Sequence, residues 1–407
     1  MRILHTSDWH LNKKLYNFDR IEEQQKVMSE IIDIADSQNV DMVIIAGDLF
    51  DTYNPSNEAQ RLLYKTLHEL SHSGQRPVIA IAGNHDSPDR IESPESLAFL
   101  SGIFLLGYPN TSPYTFTHNH DNFTITNTDK GFIEIKINKS DELARIIYTP
   151  FTNTERLRIF LGNTEGEEIE GLRFQLENLW KETADKYCDE KGINIMVAHQ
   201  FFIENEEDTN TKEPDDENAI NVGGTSAIYS SNIPRQIQYA ALGHLHKCQK
   251  IGEKDIWYSG SPLEYSFAET NQDKYVIIAD IDAGKKPEIQ TIQLQNGLKL
   301  VRKTFESIES ATNWLSNNKD CWVEITLLVD DYLTSADKHL LYKSHDRIVT
   351  IIPQLRTKLE YSASTIQEIQ KDKTQLFKSY FEKVKGVSIN DNLMQLFKEI
   401  ISENDTY

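Results

Sequence analysis

Five times between residues 1 and 246, a short apolar, β-branched run gives way at once to a polar loop rich in Asp, Asn, His and Gly. Ser7–His10 follows the run Arg2–Thr6, Gly47–Asp51 follows Asp41–Ala46, and Gly83–Asp86 follows Pro77–Ala82. His199 follows Asn194–Ala198, and Gly243–His246 follows Gln238–Leu242. Short apolar runs bounded by turn residues read as buried strands, and Asp255–Ser259 reads as one more. Helical patterns between them make the fold class α/β, built in layers. Asp19–Arg20–Ile21–Glu22 predicts a capping box opening a helix that carries Ile21, Val27, Met28, Ile31, Ile32 and Ala35 on one face. Ser56 predicts the cap of a second helix, with Leu62, Leu63, Leu67 and Leu70 inward and a stop at Gly74. Ligands of open α/β sheets bind beyond the carboxyl ends of the strands, so the five loops are expected to converge on one site.

The residue types in those loops point to metal chemistry. Asp8 and His10, two apart in a segment read as extended, present a carboxylate and an imidazole on the same side. Asp48 directly follows a buried strand, and Gly47 leaves room for close approach. Asn84 offers an amide oxygen, which holds a divalent cation without adding negative charge. With His199, His244 and His246 the set holds two carboxylates, one amide and four imidazoles. A mixed set without thiolate argues against a structural zinc site and suits Mn, Fe or Zn in a catalytic role. Other tempting residues have plainer readings. His118, Asn119 and His120 lie in a polar, hairpin-like stretch read as surface, Asp86 reads as a turn residue, and Ser261, Tyr265 and Phe267 read as packing at the sheet edge.

Net charge limits the partners. With 42 Lys and Arg against 63 Asp and Glu in 407 residues, the formal charge is −21. Non-specific affinity for nucleic acid comes from neutralising phosphates with basic residues, so a simple basic-groove binder is excluded. Residues 204–217 hold eight acidic side chains against one Lys and read as a solvated insert. No apolar run approaches the ~18 residues that span a bilayer. The opening MRILHTSDWH turns polar too soon for a secretory segment. Cys188, Cys248 and Cys321 are scattered without a CxxC pair, so a reducing cytoplasm is the expected setting.

From about Lys274 the pattern changes. Tyr275–Ile281, Gln290–Leu294, Leu298–Glu306 and Trp322–Leu328 read as strands around a helix near Ile308–Ser316, which predicts a small α+β second domain. Amphipathic patterns follow in the tail: Ile366, Ile369, Leu376, Phe377, Tyr380, Phe381 and Val384, then Leu393, Leu396, Phe397, Ile400 and Ile401. The expected division is 1–273, 274–345 and 346–407.

The ordered series D-x-H, G-D-x-x-D, G-N-H-D, a lone His and G-H-x-H resembles the calcineurin-like metallophosphoesterase superfamily. The segments HTSDWHLNK, AGDLFDTYNPS, AGNHDSP, ALGHLHK and YSGSPLEYSF are most similar to its bacterial SbcD branch of nuclease subunits. The specific motifs cover roughly residues 1–270. The resemblance implies a layered β-sandwich flanked by helices, a small capping and DNA-binding domain, and a helical tail that docks on an SbcC-type, SMC-like ATPase. It implies two divalent metals, manganese by family habit, bridged by Asp48. Asp8, His10 and His246 complete one site, and Asn84, His199 and His244 the other. It further implies that His85 contacts the phosphate and assists the leaving oxygen, with Asp51 orienting it. An ATP-dependent exonuclease on duplex DNA and an endonuclease on single strands or hairpins, acting in repair and recombination as a homodimer, is the expected function. Leu62–Leu70 and Leu97–Leu100 are the expected dimer contact. The alternative is another phosphodiesterase or phosphatase of the superfamily, acting on nucleotides or phosphoproteins.

Overall fold

The structure, a computed structural model, describes residues 1–113, 120–153, 171–208, 227–331 and 333–356, with isolated positions elsewhere. Most of the tail, His118, Asn119 and most of the acidic insert lie outside the described residues; of the tail's amphipathic positions Phe377, Phe381, Leu393 and Phe397 are described as helical. Among the described residues the first sheet has six strands. Arg2–Thr6, Met42–Ile45, Val78–Ile81 and Ile103–Leu106 pair in parallel in that order. Apart from Arg2, every residue in these four strands is buried. A strand covered on both faces has no water to meet, which is why the last three are uninterrupted apolar runs.

Among the described residues the second sheet has seven strands. Glu142–Thr149, Ile193–His199, Tyr239–Gly243 and Ile256–Tyr258 run parallel, and the antiparallel strands Phe132–Ile137 and Phe123–Asp129 extend one edge. The two sheets pack face to face, with Ile3, Met42, Ile44, Ile79 and Ile81 meeting Ile133, Ile135, Ile146, Ile195 and Val197. The outer face of the first sheet is covered by helices Ile21–Ser37 and Asn57–Leu70 through Val27, Met28, Ile31, Leu63 and Leu67. Helix Leu172–Tyr187 covers the second sheet through Leu176 and Trp180. Each fully buried side chain of this size contributes ~1.5–3 kcal/mol, so a polar group in the interior must be fully paired to be tolerated. His5 meets that condition: its Nδ1 lies 2.9 Å from Tyr239 Oη and its Nε2 3.1 Å from the Leu242 carbonyl. Burial lowers its pKa to about 3, so it stays neutral and ties the first strand of one sheet to the other sheet just behind the polar loops.

Several local expectations shift. The first helix begins at Ile21 with Asp19 Oδ1 accepting from Ile21 N at 2.8 Å, and Arg20 occupies the cap position without a side-chain cap bond. Ser56 does cap the second helix, accepting from Ala59 N at 3.1 Å, but the helix ends at Leu70 and Gly74 serves the turn beyond. Tyr275–Asp280 and Glu288–Gln293, expected in the second domain, extend the first sheet antiparallel beside Arg2–Thr6. Their local pattern is that of strands, and only the pairing partner decides which sheet they join. His120 is buried rather than on the surface, stacked on Phe123 at 4.3 Å between ring centroids.

The smaller unit is a three-stranded parallel sheet of Lys299–Phe305, Cys321–Val329 and Ile348–Leu355. Parallel neighbours need crossovers, and helices Ile308–Asn317 and Ser335–Ser344 supply them. The last strand carries this unit past residue 345. Its core is Phe305, Ala311, Leu315, Val323, Ile325, Leu327 and Leu341. A separate cluster of Leu15, Phe267, Leu300 and Trp322 joins it to the main body.

Candidate metal centre

The parallel strands end at one place, and the loops there are tied to one another by the main chain. Asp8 N donates to Gly47 O at 2.9 Å, His10 N to Asp48 O at 2.9 Å and Leu11 N to Leu49 O at 3.0 Å. The first loop is coiled rather than extended: φ is +52° at Asp8 and +41° at His10, and Asp48 and His244 also have positive φ, at +50° and +106°. Such values cost energy for residues with a Cβ and persist where surrounding structure enforces them, typically at functional sites. Glycine permits the close approach. A Cβ on Gly47, which itself has φ +95°, would lie 2.2 Å from His199 Nδ1, and one on Gly83 would lie 2.0 Å from Asp48 Oδ1.

All nine residues singled out from the sequence meet here. His10 Nε2 and His246 Nε2 are 3.0 Å apart, and Asp8, His10 and His246 form one group of candidate ligands. Asn84 Oδ1 lies 2.9 Å from His199 Nε2 and 3.3 Å from His244 Nδ1. Between the two groups stands Asp48, whose Oδ2 is 3.5 Å from His10 Nε2 and 3.3 Å from His199 Nε2. Among the described residues this buried oxygen makes no well-aligned hydrogen bond, and its nearest polar neighbours are those two imidazoles. Imidazole nitrogens and carboxylate oxygens turned inward on one another around a buried central carboxylate are a donor set that suits a divalent cation. The residues fit a metal centre. Asp51 lies beside His85: its main-chain carbonyl accepts from His85 Nδ1 at 2.9 Å, and its carboxylate, grouped with the His10 and His85 nitrogens within 4.8 Å, lies 3.4 Å from Lys13 Nζ and 3.7 Å from His10 Nδ1.

Electrostatics sharpen the division of labour. Burial pushes the Asp48 carboxyl up, but the imidazoles of His199, His85 and His10 outweigh it and hold the group well below the usual range. Burial likewise lowers His199, and the charge of Asp48 reverses the result, raising it to about 9. Burial holds His10 well below its ordinary value and raises Asp8, which also accepts from His244 N at 2.8 Å and from the Ser7 hydroxyl.

The calcineurin-like phosphoesterase family matches residues 1–248. The chain is 31% identical over 416 residues to the SbcD subunit of the SbcCD nuclease of Bacillus subtilis strain 168, covering 99% of this chain and 98% of that one. It belongs to the SbcD family of calcineurin-like phosphoesterases. The Rhodobacter capsulatus member is 30% identical over 291 residues, covering 70% of this chain and 68% of that one. The member from Escherichia coli K12 is 26% identical over 347 residues, covering 82% and 79%. As a member of this family the chain is a metal-dependent phosphodiesterase, and the Asp and His groups at its strand ends are the candidate holders of the divalent metal.

Residues to which the sequence assigns modest roles hold this family site in place. Asp86, read as a turn residue, is fully buried and accepts from Gly83 N, Leu49 N and Phe50 N at 2.9, 3.0 and 2.9 Å. It thereby pins the second and third loops together. Burial and then the charge of Asp48 raise its pKa to about 6. Tyr265 sits inside rather than at a sheet edge, its ring 5.4 Å from that of His10 and 6.0 Å from that of His246, and its hydroxyl donates to the Trp9 carbonyl. Glu269 takes His246 Nδ1 at 3.1 Å, and Lys274 Nζ bridges Glu269 to the His246 carbonyl and Ser261. A carboxylate behind a ligating imidazole fixes its tautomer and orientation. Ser261 thus backs the centre, and Phe267 belongs to the junction with the smaller unit.

Proposed function

We propose that the chain is the nuclease subunit of an SbcC–SbcD-type complex, cleaving DNA phosphodiesters at a two-metal centre. Asp8, His10 and His246 hold one ion, Asn84, His199 and His244 the other, and Asp48 bridges them. The position of Asp48 Oδ2 between His10 and His199 supports this division. Divalent cations at these two sites supply Lewis-acid charge and acidify a bound water, and manganese suits the mixed oxygen and nitrogen donors. His85 acts on the substrate. Its amide donates to Asp48 Oδ1 at 2.9 Å, and with Nδ1 donating to the Asp51 carbonyl the imidazolium form of the ring is oriented so that Nε2–H gives its proton to the leaving oxygen, leaving a neutral ring protonated at Nδ1.

The observation that carries the reading is the length of the likeness: the B. subtilis protein matches 99% of this chain, through the smaller unit and the tail, not only the phosphoesterase region. ATP dependence, exonuclease action on duplex ends, endonuclease action on single strands and hairpins, and docking of the tail on an SbcC-type ATPase belong to the same proposal. So does a homodimer. Leu62, Leu63, Leu67 and Leu70 are buried in the chain's own core, whereas Leu97 is 74% and Leu100 44% exposed, so the second pair is the better candidate for that contact.

A Mn2+-dependent assay on linear duplex and hairpin DNA, with and without the ATPase and with His85→Gln as control, tests the reading. Cleavage by the wild type alone in the pair, stimulated by ATPase and ATP, is the expected result. Hydrolysis of nucleotides or phosphoproteins with DNA left intact would favour the alternative branch of the superfamily.

A further inference from the structure

Two adjacent residues in the first turn of helix Ile21–Ser37 are polar yet buried: Glu23 and Gln24. Burial of such groups is tolerated only when their hydrogen bonds are made, and theirs run in opposite directions. Gln24 reaches into the metal centre. Its Nε2 donates to the His10 carbonyl at 2.8 Å and to Tyr265 Oη at 3.3 Å, and its Oε1 accepts from Asn12 N at 2.7 Å, so one amide closes the loop that carries His10. Glu23 reaches into the smaller unit. It accepts from Trp322 Nε1 at 2.6 Å and from Leu298 N at 3.3 Å, and pairs with Arg20 at 2.6 Å. Arg20 continues to the Glu264 carbonyl at 2.5 Å, next to Tyr265, and Glu264 accepts from Leu300 N at 2.5 Å. A second route is apolar: Trp322 packs on Phe18, 5.0 Å between ring centroids, and the loop from His10 runs on through Leu15 to Phe18.

We propose that Trp322 is a positioning residue for His10, so that the seat of the smaller unit sets how firmly one of the two metals is held. Both routes leave the smaller unit at Trp322 and end on the backbone of the loop bearing His10. Groups that orient metal ligands from behind typically change metal affinity ~10–100-fold when removed. The inference rests on the metal-centre reading and not on the substrate.

The test is Mn2+ titration of the full-length protein by calorimetry, comparing wild type, Trp322→Phe and Leu315→Ala. Phe keeps the contact with Phe18 and deletes the donor to Glu23, whereas Leu315 is fully buried in the smaller unit's own core. Trp322→Phe is expected to weaken one of two Mn2+ binding events about tenfold. Leu315→Ala should lower the melting temperature without that loss. Unchanged Mn2+ affinity in Trp322→Phe, or equal weakening in both variants, overturns the proposal. Linkage is reciprocal, so in the wild type Mn2+ should slow hydrogen exchange at the Leu298 and Leu300 amides, whose acceptors are Glu23 and Glu264. Exchange there that ignores Mn2+ also overturns it. Neither readout involves DNA cleavage, so a failed nuclease assay leaves them standing.

Discussion

His85 Nδ1 donates to the main-chain carbonyl of Asp51 at 2.9 Å, while the Asp51 carboxylate lies 3.4 Å from Lys13 Nζ and 3.7 Å from His10 Nδ1, in one group with His10 and His85 whose ligand atoms are within 4.8 Å of one another. A substitution at Asp51 therefore removes a charge and leaves the group that orients His85. General acid catalysis contributes ~10²–10⁴-fold, so His85→Gln should lose phosphodiester cleavage on that scale while retaining metal. Asp51→Asn should lose less than about tenfold, because the carbonyl that orients the ring is unchanged. Single-turnover rates of the two variants, with metal content measured alongside, decide it. Equal losses would return the orienting role to the carboxylate.

Asp86 makes a different kind of prediction, about stability. Its carboxylate satisfies three buried backbone N–H groups from two loops. A buried donor left without a partner costs ~1–3 kcal/mol, so Asp86→Ala should destabilise the fold by more than ~3 kcal/mol in urea unfolding. Metal binding should weaken with it, because Gly83 and Leu49 flank Asn84 and Asp48. Wild-type stability in this variant would mean that the loops hold their shape without the clamp.

What can be read from the sequence divides along the range of the interactions. Buried parallel strands announce themselves as continuous apolar runs, and lone-pair-bearing residues are conspicuous at their ends, so the order of residues alone reveals the five loops and their seven candidate ligands. Asp86 stays hidden, because a carboxylate in a loop is equally compatible with an ordinary turn and its partners at Leu49 and Phe50 are far back in the chain. Gln24 and Glu269 escape notice for the same reason: each supports a histidine on another loop, and no local periodicity marks that duty. The Asp8-x-His10 alternation brings the two side chains together by a wrong route, since left-handed backbone and cross-loop bonds, not an extended strand, set their directions. The placement of Tyr275–Asp280 depends on finding Arg2–Thr6 as its neighbour, which strand propensity alone does not encode.

Glu269, the carboxylate behind His246, links support of the metal centre to acid stability. Burial raises its carboxyl, but Lys274 and then His246 outweigh burial and bring it to about 2, against an ordinary value of 4.5. A depressed carboxyl contributes stability that is fully present above the unfolded value and fades as pH falls toward the folded one. The window is therefore about pH 4.5 to about 2, and at 1.36 kcal/mol per unit the contribution is on the order of 3 kcal/mol. Thermal melts should show a wide gap between wild type and Glu269→Gln at neutral pH that narrows through this window. A gap independent of pH would show that the carboxylate acts only by packing.

The Asp48–His199 pair predicts that metal uptake and pH are coupled in the direction opposite to the pair's own stability effect. His199 is raised to about 9 by Asp48, so in metal-free protein the pair contributes fully below the ordinary imidazole value of 6.5 and is lost as pH rises through about 9. A ligating imidazole must be neutral, so a metal ion has to displace that proton. Mn2+ affinity should accordingly rise with pH, by up to ~tenfold per unit, until about pH 9, with a proton released on binding near neutrality. Calorimetry in buffers of different ionisation enthalpy measures that release directly. Asp48→Asn removes the charge that raises His199, and should abolish both the proton release and tight binding of the metal pair. Mn2+ affinity flat between pH 6.5 and about 9 would place the proton elsewhere and detach His199 from the metal centre.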